Sequence, residues 1–295
     1  MNNFHGASKK KNFFEGWYFK HQKDNNTIAF IPGINIDDKG NRLAFIQVIT
    51  NTNSYNINYP FDEFLVDNKS LEVVIGNNIF SERGIKLNIE SEDISISGSI
   101  KYGEITPIKY DIMGPFSVIP FMECNHGVIS LYHELSGEIF VNCERINLSG
   151  GRGYIEKDWG SSFPKTYHWV QCNDFKKDKC CVMVSIADIP FMGLNFKGCI
   201  CVVYYKGKEY RFATYNGVKI INCTNKLIEL KRGKYRLEIQ VKGENPQKLL
   251  APNRGEMSRT IHENAACVAS FKFYASDKLL FNLSSNNCSL ECVEA

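Results

Sequence analysis

The chain has 295 residues, 43% hydrophobic and 23% charged, with 35 basic residues against 32 acidic ones and a formal charge of +3. Such a length buries one large core or two ordinary ones, and the even mixing of charge excludes the electrostatic footprint of a nucleic-acid binder. No run reaches the roughly 18 apolar residues of a membrane helix and no apolar leader precedes a cleavage-like site, so a soluble, cytoplasmic protein is expected.

From the N-terminus, Lys9-Lys10-Lys11 reads as a solvated terminal patch. Next comes FFEGWYFKHQ, residues 13–22, where Glu15 stands among Phe13, Phe14, Trp17, Tyr18 and Phe19. Either this is an edge strand with Glu15 exposed, or the rings desolvate Glu15, raise its pKa and make it a proton donor near neutral pH. Asp37 to Gly40 then mark a hairpin before RLAFIQVIT, and PFDEFLVD at 60–67 reads as a short helical turn.

Alternation at period two follows. Ile85, Leu87 and Ile89 share one face of GIKLNIE, as do Ile94, Ile96 and Ile100 in ISISGSI, and further on Leu237, Ile239 and Val241 in RLEIQV. Asn77-Asn78 and Lys206-Gly207 supply further hairpin turns. With helix scarce and strands recurring about every ten residues, the pattern predicts an all-β chain of two antiparallel barrels or sandwiches with few short helices. The glycines of NLSGGRG, 147–153, mark the expected boundary, dividing the chain into 1–149 and 150–295.

The stretch at 120–139 holds Glu123, His126 and His133 in apolar surroundings. A hydrogen-bonded core histidine is the plain reading, but Gly127 can aim His126 into a cavity, which favours it over His133. In GYIEKDWGSSFP an extended chain puts Glu156 and Asp158 on one side and Lys157 and Trp159 on the other. Two carboxylates on one side repel when ionised, so one retains its proton and the pair becomes a donor and an acceptor; the alternative is a surface strand with a lysine counter-ion. Trp169, Gln171 and Asn173 alternate in the same way and present a ring and two amides to a polar ligand group. Past the loop at Pro252 to Gly255 come Met257, Arg259, His262 and Glu263, with Arg259 either a clamp for an anionic oxygen or a surface ion pair.

The odd count of 11 cysteines, several in apolar runs such as CCVMVSI, reads as reduced buried thiols. No CxxC or HExxH spacing points to a metal, and the glycines at 150, 151 and 153 match no phosphate loop, so neither metal nor cofactor is expected.

Taken in order, HGASKKKN before FFEGWYF, IGNNIFSERGIKLNIE, GYIEKDWGSSFP and YHWVQCNDF resemble the tocopherol cyclase family, from about residue 4 to past residue 263. The resemblance implies two lipocalin-like barrels, a hydrophobic cavity and cofactor-free closure of a chromanol ring from a prenylated hydroquinone, with isoprenoid hydratases and cyclases as distant relatives. Where that family's motif often reads EKNW, this chain has Asp158, so Glu156 or Glu15 becomes the safer general acid. The expected reaction is protonation of a trisubstituted alkene by the Glu156 and Asp158 pair, with Glu15 next in line and His126 as proton partner. Ring faces of Trp17, Tyr18, Trp159 or Trp169 would steady the cation, Met257 would line the site, and Gln171, Asn173 and Arg259 would position oxygens. The expected partner is an apolar small molecule, taken up with or without a peripheral membrane contact. A non-catalytic carrier and an isoprenoid hydratase are the competing functions.

Overall fold

The computed structural model describes residues 4–294 except 68, 120, 121, 177, 178, 192, 193 and 244, together with the backbone but not the side chains of 191, 194 and 195. The first two residues of the 120–139 stretch therefore lie outside the described residues. The chain is all-β. Twelve strands make the first sheet: β1 (Phe13–Lys23), β2 (Asn26–Ile36), β3 (Arg42–Thr50), β4 (Ser54–Pro60), β5 (Phe64–Val66), β6 (Glu72–Ile75), β7 (Asn78–Ser81), β8 (Gly84–Glu90), β9 (Ser95–Tyr102), β10 (Cys124–Val141), β11 (Glu144–Asn147) and β12 (Arg152–Gly160). Ten make the second: β13 (Tyr167–Cys172), β14 (Cys180–Phe191), β15 (Leu194–Tyr205), β16 (Lys208–Ala213), β17 (Lys219–Cys223), β18 (Leu227–Arg232), β19 (Tyr235–Lys242), β20 (Gln247–Asn253), β21 (Glu256–Ala275) and β22 (Lys278–Val293). Short 3₁₀ turns occur at Phe61–Glu63, Gly114–Val118 and Thr214–Asn216.

All pairing is antiparallel, and the expected alternation holds: Ile85, Leu87 and Ile89 are buried while the intervening residues of β8 are exposed. Barrel closure does not hold. The first sheet runs β4-β3-β2-β1-β12-β10-β9-β8-β7-β6-β5 and the second β16-β15-β14-β13-β22-β21-β19-β18-β17, with end strands that do not pair among the described residues. Each sheet instead rolls until distant strands touch, β3 against β6 and β16 against β18, around its own apolar core. The first sheet also continues past the expected boundary, because β12 inserts between β1 and β10. All 11 cysteines are free thiols, and none of the described helices is long and apolar enough to cross a membrane.

A third apolar cluster joins the sheets, with Tyr18, Val128, Leu131 and Tyr154 from the first and Trp169, Met183, Val202 and Ile261 from the second. Beside it runs a buried polar seam. Lys20 Nζ donates to Gln171 Oε1 at 3.0 Å and to the Asn287 carbonyl at 2.8 Å, and Asn173 Nδ2 donates to the Gly153 carbonyl at 2.8 Å.

β12 is covered on both sides, so its two residue sets meet different surroundings. Ile155, Lys157 and Trp159 face the core of the first sheet, where Lys157 Nζ lies 2.6 Å from Glu15 Oε1 and 5.1 Å from the Trp17 ring centroid. Glu15 also accepts a hydrogen bond from the His5 backbone N–H at 2.8 Å, and the His5 ring stacks on Trp159 with centroids 4.3 Å apart. Nearby, His133 stands opposite Gly153; a Cβ there would come 2.1 Å from His133 Nε2, so only glycine lets that ring in. His133 Nδ1 bonds Ser130 Oγ at 2.9 Å, its ring packs on Tyr102, and Tyr102 Oη bonds His21 Nε2 at 2.5 Å.

Two predictions follow from this core. Glu15 and Lys157 are wholly buried, so Lys157→Met, which leaves the carboxylate without its ammonium, should cost about 3–5 kcal/mol in urea denaturation, and Glu15→Gln with Lys157→Met should recover most of it. A double variant as unstable as the sum of the single ones would mean that the groups do not act as a pair. Burial holds His21 and His133 each at about 3, and for His133 the neighbouring His21 adds to the effect. A base depressed by folding stabilises above its unfolded pKa of about 6.5 and loses that contribution as pH falls toward the folded value. Stability of His133→Gln should therefore fall less steeply than that of the parent between pH 6.5 and 3, by about 1.4 kcal/mol per pH unit; parallel curves in denaturant titrations would refute it.

Candidate active site

Tyr154, Glu156 and Asp158 form the other face of β12 and look into the space between the sheets. In the register, Glu156 stands between Tyr18 of β1 and Val128 of β10, and Asp158 between Gly16 and His126. Gly16, Glu156 and Asp158 all line a cavity of ≈ 1220 Å³ counting its mouth. Its walls are mainly apolar, with Phe14, Ile31, Phe45, Phe163, Ile189 and Leu249 among them.

The polar groups are concentrated at one end. His126 Nδ1 lies 2.8 Å from Asp158 Oδ1, and its Nε2 lies 3.4 Å from Glu156 Oε2. Glu156 Oε2 accepts hydrogen bonds from Tyr154 Oη at 2.6 Å and Trp169 Nε1 at 3.3 Å. Burial raises the Glu156 carboxyl to about 7, against the opposing pull of His126 and the two hydrogen bonds, and Asp158 adds to the rise. Burial alone would lower His126, but the carboxylates of Asp158 and Glu156 more than offset it and bring the imidazole to about 9. The arrangement is a proton store: an imidazolium clamped between two carboxyl groups, one of them poised near neutrality.

Of the residues singled out by sequence, Glu156, Asp158, His126, Tyr18, Trp169 and Met257 line the cavity together. Glu15, Trp17 and Trp159 do not, because alternation along β1 and β12 turns them into the first core, and Glu15 is spent on Lys157. No bulge at Gly160 brings Trp159 round. Gln171 and Asn173 are buried in the polar seam between the sheets and are not among the lining residues. Arg259 is not among the lining residues; it donates to the Pro164 carbonyl at 2.7 Å and so holds the loop after β12.

Sequence reading passed over Tyr154, Tyr167 and Glu291. Tyr154 was within reach, since it lies two residues before Glu156 on the same face. Tyr167 Oη donates to Glu291 Oε2 at 2.6 Å, and Glu291 lines the cavity from β22. Its only signal was a single acid in the apolar run SLECV.

The donor atoms of His126, Glu156 and Asp158 lie within 4.8 Å of one another, as do those of His168, Cys292 and Glu294. A cation in the first set would have to displace the proton between His126 and Asp158.

The profile of tocopherol cyclase-like proteins matches residues 82–293. The Oryza sativa chloroplast protein named "Probable tocopherol cyclase" is 31% identical over 121 residues, 39% of this chain and 26% of that protein. A chloroplastic tocopherol cyclase of Zea mays is 27% identical over 121 residues, 39% of this chain and 25% of its own. The chain thus spans about a quarter of the length of these plant relatives. Among solved structures, CghA with Sch210972 superposes with a TM-score of 0.63 at 9% identity, over 96% of this chain and 89% of that one. Kievitone hydratase of Nectria haematococca gives 0.53 at 11% identity, over 100% and 96%. At these identities the superpositions show a shared fold. With the family profile spanning most of its length, this chain belongs to the tocopherol cyclase-like family.

Proposed function

We propose that this protein is an intramolecular cyclase that protonates the trisubstituted alkene of a prenylated hydroquinone and closes a chromanol-type ring. The observation that carries this reading is Glu156: a carboxyl group buried at the polar end of an apolar cavity, at about 7, with a protonated histidine beside it. Alkene protonation needs a strong, dry acid, because in water the cation would be trapped as an alcohol. Glu156 donates the proton, and the His126 imidazolium, 3.4 Å away, restores it. Asp158 anchors His126 from the far side. The faces of Tyr18, Tyr167 and Trp169 line the same cavity and suit a tertiary cation. The phenol oxygen then attacks the cation, its proton leaves, and the reaction is an isomerisation without net proton change. Folding of the prenyl chain within the apolar walls supplies the orientation.

Incubation with a farnesyl-substituted methylhydroquinone in D₂O and ¹⁸O-water, followed by mass spectrometry, tests the reading. A cyclase gives product with one solvent deuterium and no solvent oxygen; incorporation of both marks a hydratase, and bound but unchanged quinol marks a carrier. Glu156→Gln should lower kcat by about 10²–10⁴-fold. Because folding raises this carboxyl, its protonated form stabilises below the unfolded pKa of about 4.5, and that contribution is lost as pH rises through 7. The variant should therefore melt no lower than the parent at pH 8, and parent kcat should decline as pH rises through 7. Loss of activity that merely tracks loss of folded protein would assign Glu156 to structure.

A further inference from the structure

A second pair of carboxyl groups belongs to the other sheet, and one of the two, Glu291, lines the same cavity as Glu156. Glu263 of β21 and Glu291 of β22 are directly opposed in register and both buried, with Glu263 Oε2 lacking a hydrogen-bond partner, and two acids placed side by side favour a proton on one of them. Glu263 Oε1 accepts from Tyr18 Oη at 2.6 Å, and Glu291 Oε2 accepts from Tyr167 Oη at 2.6 Å. The donors are neutral phenols. The nearest ammonium, on Lys20, is committed to Gln171 and the Asn287 carbonyl. Among the described residues neither acid has an ammonium or guanidinium in ion-pair contact, a costly burial for a fold that could place apolar residues there, yet one of the two opens on the cavity. Trp169 ties this wall to the other, since it is the register partner of Glu291 and donates to Glu156.

We propose that Glu291 is the base that takes up the phenol proton as the ring closes, and that Glu263, permanently protonated, is the positioning residue that donates a hydrogen bond to it. This rests on the cyclase reading above. Glu156 transfers its proton to the alkene carbon; the phenol oxygen forms the C–O bond with the tertiary cation; the O–H bond breaks and the proton passes to the Glu291 carboxylate. The His126 imidazolium then returns a proton to Glu156 and recovers its own from solvent, which also takes one from Glu291, so the cycle balances.

The charges on every neighbouring strand fit this division. Acting on Glu263 are Tyr18 and Lys20 from β1; acting on Glu291 are Tyr167 from β13 and Glu156 and Asp158 from β12, with Arg259 of β21 acting in turn on Tyr167. Burial, then the Glu291 charge, pushes Glu263 well above the carboxylate range. Burial also raises Glu291, to about 7, where Tyr167 and the Glu263 proton act to keep it ionised. Glu156 and Glu291 repel when both are charged, so near neutral pH one proton between them gives one acid and one base, and kcat follows a bell in pH.

The test is the kcat profile of the parent, Glu156→Gln, Glu291→Gln, Glu263→Leu and Tyr167→Phe on the farnesyl-substituted methylhydroquinone. Glu291→Gln should lower kcat about 10²–10⁴-fold, with KM little changed, and erase the acidic limb. Glu263→Leu and Tyr167→Phe, which each remove a hydrogen bond to the carboxylate, should move that limb to higher pH, a shift that a packing defect would not produce. If Glu291→Gln fails to fold, the Tyr167→Phe shift decides. A parent that turns over no quinol removes the cyclase reading and this proposal with it. An active parent, an inactive Glu156→Gln, and wild-type profiles in Glu291→Gln and Tyr167→Phe would overturn the proposal alone.

Discussion

The site depends on one constraint: β12 is buried on both faces and hydrogen-bonded on both edges. A strand held by β1 and β10 cannot twist its side chains away from the period of two. Its odd residues must therefore satisfy the first core and its even residues the space between the sheets. Lys157 would be intolerable in that core without Glu15, and Glu156 would be an idle expense on the other side without a use for a raised carboxyl. The same register that neutralises one face leaves the other face chemically tense. A one-residue slip would send Glu156 and Asp158 into the apolar core and Lys157 into the cavity, so the ion pair on the inner face also specifies the register on which the site depends.

The electrostatics of the cavity follow from burial set against a small number of charges. Desolvation alone would neutralise every group there, lowering His126 and raising Glu156 and Glu291. Asp158 reverses this for His126 at 2.8 Å and leaves the acids raised. The cavity therefore combines a cation, which restrains Glu156, with acids that still hold protons near neutral pH. An apolar lining keeps water from levelling the difference, and the neutral donors Tyr154, Trp169 and Tyr167 fix the carboxyl groups without adding charge.

Much of this is legible in the sequence where the signal is local. Alternation in GIKLNIE and RLEIQV sufficed for antiparallel sheet, and alternation in YIEKDW put Glu156 with Asp158 and away from Trp159. What was not legible is set by distant pairing. Glu15 looked like a desolvated acid among rings, which it is, but only the β1–β12 register shows that Lys157 lies beside it. Gln171 and Asn173 had the alternation of a ligand-binding face, yet their partners, Lys20 and the Gly153 carbonyl, come from the other sheet. Barrel closure depends on whether end strands meet, and β4 and β5 carry no residue pattern that says they do not. Glu291 was hidden for the same reason: its partners Tyr167 and Glu263 lie far away along the chain.

Asp158 is where the local and the distant combine. An asparagine at this position could still bond His126, but it would carry no charge. As a carboxylate, Asp158 raises His126, Glu156 and Glu291 together, although it is hydrogen-bonded only to the first. The residue that most resembles a second acid in EKDW thus acts best as a fixed negative charge. It commits the imidazole to its proton, and through that cation it sets how readily Glu156 releases its own. In the proposed reaction, an aspartate in place of the asparagine of an EKNW motif changes the proton inventory of the site while leaving Glu156 in place, because its position comes from β12 alternation and its raised pKa from burial.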